Sequence, residues 1–268
     1  MSTKHNAPTS TFVSAEQVRT QIRSRDWTTL TSGVAKGFVQ GNLVMLPKSH
    51  AFEFLLFCTR NPKPCPILDV LEPGVFEPTI TPGADLRSDL PRYRIYKNGV
   101  LAEEVEDVTA YCSEEMVSFL LGCSYSFERA LLEAGLPIRN MEEGKNVSMY
   151  ITNRECAPAG PFHTPMVVSM RPMTSEQAVR AAQITTRFER THGAPIHWGD
   201  PETLGIRNLD EPDFGEAVTI RDNEVPVFWA CGVTSALAAA SATLPLVITH
   251  APGHMFISDL RDEELTIF

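Results

Sequence analysis

PVFWACGVTSALAAASATLPLVITHAPGHMFISDL, residues 226–260, is the stretch on which the reading of the fold turns. Residues 227–231 are short, aromatic and β-branched, which suits a strand. Gly232 supplies a turn, Thr234 or Ser235 can cap an Ala-rich helix over 236–242, and Pro245 stops that helix before a second apolar run at 246–249. Strand, helix and strand in succession predict, if both strands share a sheet, a parallel pair joined by a right-handed crossover. Such a unit delivers Cys231, Gly232 and the free N–H groups of the next helix to the carboxyl edge of the sheet, where anionic ligands of open α/β folds bind. His250 and His254 follow the far strand, separated by Pro252-Gly253. The functional site is expected here.

Working outward, Ser14 with Gln17 makes a capping-box pattern that opens a helix through about residue 26, after a polar arm at 1–10. Residues 42–46 read as a strand. A helix whose apolar positions Phe52, Leu55 and Leu56 share one face stops near Asn61-Pro62, leaving Arg60, Asn61 and Lys63 in a Pro-rich turn. Those cations either complement the helix dipole or bind an anion. After a strand at 67–71, residues 72–91 form a loop rich in Pro, Gly and Asp that carries Arg87. Asn98-Gly99 marks a hairpin between 92–96 and 100–105. Residues 113–121 and 127–134 read as helices, and the break between them puts Cys123, Ser124 and Ser126 before a helix N-terminus, a second candidate anion site. Strands at 147–152 and 166–170 flank a loop carrying Arg154. A helix capped by Thr174 runs over 175–192, and 196–198 ends as a strand at Gly199-Asp200.

The expected architecture is α/β: one compact unit of two intimately packed α/β lobes with mixed sheets, the middle segment inserted into a lobe formed by both termini. Residues 1–71 with 172–268 make the layered α/β lobe and 72–171 a smaller α+β lobe.

With 43% hydrophobic residues over 268 positions the chain can bury a full core, and its net charge of −10 argues against nucleic acid or an anionic membrane as partner. No run reaches the ~18 apolar residues of a membrane span, and residues 1–10 lack the apolar core of a secretory signal, so a cytoplasmic location is expected. Cys58, Cys65, Cys112, Cys123, Cys156 and Cys231 form no CxxC pair and are expected as buried thiols. No phosphate-binding glycine fingerprint occurs, and His250 and His254 lack a third ligand, so neither a nucleotide cofactor nor a metal is indicated. Cys231 with His254 would suit a nucleophile and its base. It equally suits a tight strand-to-helix turn.

Ordered words run through the chain: FCTRNPKPCP at 57–66, DLRSDLP at 85–91, GCSYSFE at 122–128, VVSMRP at 167–172, HGAP at 192–195, GDP at 199–201, PDFG at 212–215, FWACGVT at 228–234 and ITHAPGHMF at 248–256. In these the chain resembles the YcsI-like hydro-lyases, the family that includes D-glutamate cyclase. The resemblance implies a lyase without organic cofactor that converts D-glutamate to 5-oxo-D-proline and water. That chemistry needs a neutral amine, an acid for the departing oxygen, donors for the tetrahedral oxyanion and an anchor for the α-carboxylate. Arg60, Arg87 and Arg154, with Asn61 and Lys63, are the candidate anchors. Backbone N–H groups after Cys231, at Gly232 and Thr234, are candidate oxyanion donors, and His254, His250 or Asp200 candidate proton carriers. The expected partner is a small amino or carboxylic acid, and a homo-oligomer is left open. Two other classes stay beside this one: a non-catalytic binding protein for a small acid, and a cysteine-dependent amidohydrolase using Cys231.

Overall fold

The computed structural model describes residues 14–266; the polar arm at 1–10 lies outside them. In chain order the elements are α1 (Ala15–Arg23), β1 (Phe38–Pro47), α2 (Ala51–Arg60), β2 (Ile67–Val70), β3 (Tyr93–Lys97), β4 (Val100–Val105), β5 (Met116–Gly122), α3 (Tyr125–Glu133), α4 (Arg139–Glu142), β6 (Ser148–Glu155), β7 (Pro165–Met173), α5 (Ser175–Thr185), β8 (His197–Trp198), β9 (Val225–Ala230), α6 (Val233–Ser241), β10 (Val247–His250) and β11 (Phe256–Arg261). Capping boxes at Ser14 and Thr174 open α1 and α5, as their spacing predicts.

The strands form two sheets. The larger is ordered β2-β5-β1-β10-β3-β4, with β11 also on β1, and the smaller β6-β7-β9-β8. The class is α/β, but every strand pairing is antiparallel, where mixed sheets were expected. The expected β9-α6-β10 crossover is also corrected, because β9 lies in the small sheet and β10 in the large one. Helix α6 therefore carries the chain between sheets. The sheets also divide the chain differently from the expected lobes, since β3, β4 and β5 belong with the terminal strands.

Residues 113–121, expected as a helix, hold all of β5 but its last residue, Gly122. The seven residues of β5 are all buried, because it lies between β1 and β2 with both faces covered. On one face Leu43, Met45, Ile95, Leu120 and Ile248 pack under Leu86 and Leu90 of the 72–91 loop. On the other, Val44, Leu46, Phe119 and Leu121 pack against Phe54 and Phe57 of α2 and Ala238 and Ala239 of α6. A strand buried on both faces loses the alternation that distinguishes it from a helix. The loop at 72–91 is thus a lid on the core, pinned where Tyr93 Oη donates to the Leu86 carbonyl at 2.9 Å.

The two sheets exchange helices. Helix α3 leaves the end of β5 in the large sheet, yet its Phe127 and Leu131 pack with Met173, Val227 and Trp229 of the small one. Helix α6 leaves the end of β9 in the small sheet and packs on the large one. The starts of both helices consequently meet where the sheets adjoin, in a cluster containing Cys123, Tyr125, Cys231 and Val233.

Candidate functional site

The two stretches singled out separately as anion sites, 122–126 and 231–234, converge at this junction. Each holds a cysteine whose thiol pKa is pulled down by the backbone N–H two residues on, Tyr125 for Cys123 and Val233 for Cys231. Asn42 of β1 fastens the pair together. Its Nδ2 donates to the Gly122 carbonyl at 2.7 Å, and a Cβ on Gly232 would lie 2.0 Å from the same atom. Thr234 Oγ1 accepts from Val167 N at 2.9 Å and donates to the Cys231 carbonyl at 2.7 Å, closing the turn.

Between the helix starts lies Arg171 of β7, 1% exposed. Its guanidinium donates to Glu128 Oε1 at 2.6 Å, to Ser124 Oγ at 3.2 Å and to Ser169 Oγ at 3.2 Å, while its Nε has no acceptor. The rings of Phe127 and Trp229 lie 5.6 and 5.5 Å from its charged centre. A second cation approaches from the turn after α2: Lys63 is half-buried, and burial lowers its pKa while Glu189 opposes the shift. His192 completes the floor. It is 1% exposed, its Nδ1 donates to the Lys63 carbonyl at 2.8 Å, its Nε2 has no hydrogen-bond partner, and the Gly122 carbonyl lies near the ring.

Burial decides the protonation states. It pushes the Cys231 thiol up to about 11, against the pull of the Val233 N–H and the Arg171 charge. It raises the Cys123 thiol further. Burial, aided by the Lys63 and Arg171 charges, holds His192 down to about 4. At neutral pH the junction therefore holds two neutral thiols, a neutral imidazole, and two cations against one buried carboxylate.

The other expected site residues are placed as follows. His250 ends β10, its Nδ1 accepts from Leu43 N of β1 at 3.2 Å, and burial holds it down to about 4. His254 hydrogen-bonds the Pro252 carbonyl at 3.1 Å, and burial lowers its pKa too. Asn61 is a clamp, donating to the Phe57 and Ala157 carbonyls and accepting from Ala157 N, each at 2.8 Å. Arg60 is exposed and holds the Pro158 carbonyl. Arg87 grips Asp85 in its own loop, at 2.7 Å from Nη2, beside the Phe76 ring. Arg154 is exposed. Asp200 is exposed and caps the turn at Glu202 N at 3.0 Å. Cys231, Gly232, Thr234 and Lys63 thus come together; Arg60, Arg87, Arg154 and Asp200 do not join them.

Sequence reasoning missed Arg171, Glu128, Asn42 and His192. The available signal was an arginine inside the apolar strand run at 166–170 and Met173, since a charge in a buried strand must be paired. Two surface clefts, of about 430 Å³ beside Leu136 and Arg221 and about 370 Å³ beside Arg19 and Phe38, share no residue with the junction. Among the described residues no three His, Cys, Asp or Glu side chains are grouped to hold a metal, and no helix is long and apolar enough to cross a membrane.

The family model described as D-glutamate cyclase matches residues 117–259, a span that includes β5 after its first residue, α3, Arg171, His192, Cys231 and both C-terminal histidines. The chain belongs to the D-glutamate cyclase family. Within it, the chain is 58% identical to a Syntrophobacter fumaroxidans protein named "Putative hydro-lyase", over 94% of this chain and 97% of that one. A protein of the same name from Stutzerimonas stutzeri is 56% identical over 95% and 97%. YcsI of Bacillus subtilis, also named as a hydro-lyase of that kind, is 56% identical over 94% and 98%. The family match covers every element of the junction except β1, α2 and the turn with Lys63, and these fall within the length shared with the relatives.

Proposed function

We propose that the chain is a hydro-lyase that closes D-glutamate to 5-oxo-D-proline with loss of water, and that it does so at the junction of α3 and α6. The observation that carries this reading is Arg171, a fully buried guanidinium whose Nε–H has no acceptor. An unpaired buried donor on a charged group is costly, and a carboxylate oxygen would satisfy it. Lys63 supplies a second positive charge nearby, so with Glu128 paired to Arg171 the junction keeps an excess of positive charge, which suits the net negative charge of glutamate. Family membership and the hydro-lyase names of the relatives support the same reading.

The reaction needs little covalent help from the protein. The nucleophile is the substrate's own amine, and holding it against the side-chain carboxyl carbon gains effective molarities of ~10⁵ M or more. Two protons leave the nitrogen and both end on the departing oxygen, which leaves as water when the C–O bond breaks. Charge on the remaining oxygen of the tetrahedral adduct is met by the positive ends of α3 and α6 and by the cations. A cysteine amidohydrolase would need a thiol poised as thiolate, whereas burial holds Cys231 at about 11.

The test is incubation with D-glutamate, L-glutamate and 5-oxo-D-proline, followed by chiral chromatography. Interconversion of D-glutamate and 5-oxo-D-proline is expected. Saturable binding without turnover would make the chain a binding protein and overturn the proposal.

A further inference from the structure

We infer that His192 is the proton carrier of this site: its Nε2 takes a proton from the substrate ammonium as the amine closes on the side-chain carboxyl carbon, and returns it to the departing oxygen. The inference rests on the cyclase reading above and adds a residue to it.

The geometry assigns the tautomer. A carbonyl oxygen only accepts, so the 2.8 Å contact to the Lys63 carbonyl puts the proton of the neutral ring on Nδ1. Nε2 then carries a lone pair. That atom is buried without a partner, and the Gly122 carbonyl near the ring already accepts from Asn42. A buried acceptor without a donor is a poor resting arrangement, and a substrate N–H would satisfy it. The backbone is held for the same purpose. His192 has φ of 86°, a left-handed conformation uncommon outside glycine, asparagine and aspartate. It follows the turn Glu189–Thr191, whose backbone lies so close on Gly122 that a Cβ there would come within 2.0 Å of the Arg190 carbonyl. Strain of this sort persists where the surroundings over-determine it.

The charges facing the ring are Lys63 from the turn after α2 and Arg171 from β7, with Glu128 of α3 paired to Arg171 and Glu189 beside Lys63. Both cations disfavour the imidazolium, and a bound dicarboxylate offsets them, so substrate raises the basicity of Nε2. The steps balance. The ammonium loses one proton to His192, the amine lone pair forms the N–C bond, and the carbonyl π pair moves to oxygen. The adduct nitrogen then loses its second proton to the oxygen that departs, and His192 delivers the first, completing water.

His192→Asn tests this, because asparagine tolerates the left-handed backbone and its amide N–H stands in for Nδ1–H, while no basic nitrogen remains. The expected result is a folded protein whose kcat falls about 10²–10⁴-fold with KM changed only a few-fold. If that variant fails to fold, His192→Gly relaxes the backbone and opens a ring-sized space, and added imidazole is expected to restore turnover. Turnover in folded His192→Asn within about threefold of wild type, or no rescue of a folded His192→Gly, overturns the inference alone. A wild-type protein that leaves D-glutamate unchanged overturns both the inference and the reading beneath it.

Discussion

Gly122 and Gly232 hold the junction by what they lack. A methyl group on Gly122 would strike the backbone carbonyl of Arg190, and on Gly232 the amide of Asn42, each at 2.0 Å. The first neighbour is backbone and cannot swing aside; the second is a side chain fastened to the Gly122 carbonyl. Gly122→Ala should therefore cost about 1–3 kcal/mol in urea unfolding and lower turnover by displacing His192, whereas the cost of Gly232→Ala should fall when Asn42 is shortened to Ser in a double-mutant cycle. Additive costs in that cycle would refute the Asn42 contact. Neither requirement was legible in the sequence, because the opposing atoms come from 68 and 190 residues away along the chain. Cys231 was legible as a turn residue with two readings, and burial separates them. A thiol held at about 11 should resist alkylation at pH 8, and Cys231→Ser should keep turnover within a few-fold. A mass increase on that peptide after acid quench with substrate would instead mark an acyl-enzyme.

At the scale of elements, the buried pair between Arg171 of β7 and Glu128 of α3 ties one sheet to the helix that starts from the other. Removing one partner of such a pair leaves an uncompensated charge, so Glu128→Gln should lower stability by about 3–5 kcal/mol, read from the urea midpoint. A loss below 1 kcal/mol would show that Ser124 and Ser169 suffice to hold Arg171. Helices with capping boxes, α1 and α5, were legible, and so was the hairpin at Asn98-Gly99, because local chemistry specifies them. β5 was not, since an apolar run covered on both faces has no period of two. The β9-α6-β10 stretch was read correctly element by element and wrongly in its pairing. Sheet membership depends on β1, almost two hundred residues earlier, which takes β10 and β11 end to end along one side.

The whole molecule should lose stability in acid for a reason visible in its core. His192 and His250 are held near 4 by burial, below the ~6.5 of an unfolded chain. Between those values the unfolded state binds more protons, so their contribution is full above about pH 6.5 and falls as pH drops toward 4. Asp262 acts in the opposite sense. Burial raises it to about 7 despite Arg129 nearby, so it favours the folded state increasingly as pH falls from 7 toward 4. Asp262→Asn should thus raise the urea midpoint at pH 8 and steepen the loss between pH 6.5 and 4; an unchanged pH slope would contradict the assignment. The class of the fold was legible from composition and the order of elements, but the exchange of helices between two antiparallel sheets was not. That exchange is what brings 122–126 and 231–234, two separate words in the sequence, to one place around Arg171. The most direct test is a crystal structure with 5-oxo-D-proline bound. Its carboxylate is expected within hydrogen-bond distance of Arg171 Nε, between the starts of α3 and α6; a ligand seated instead at Arg60 and Arg154, or in either surface cleft, would place the site elsewhere and contradict this assignment.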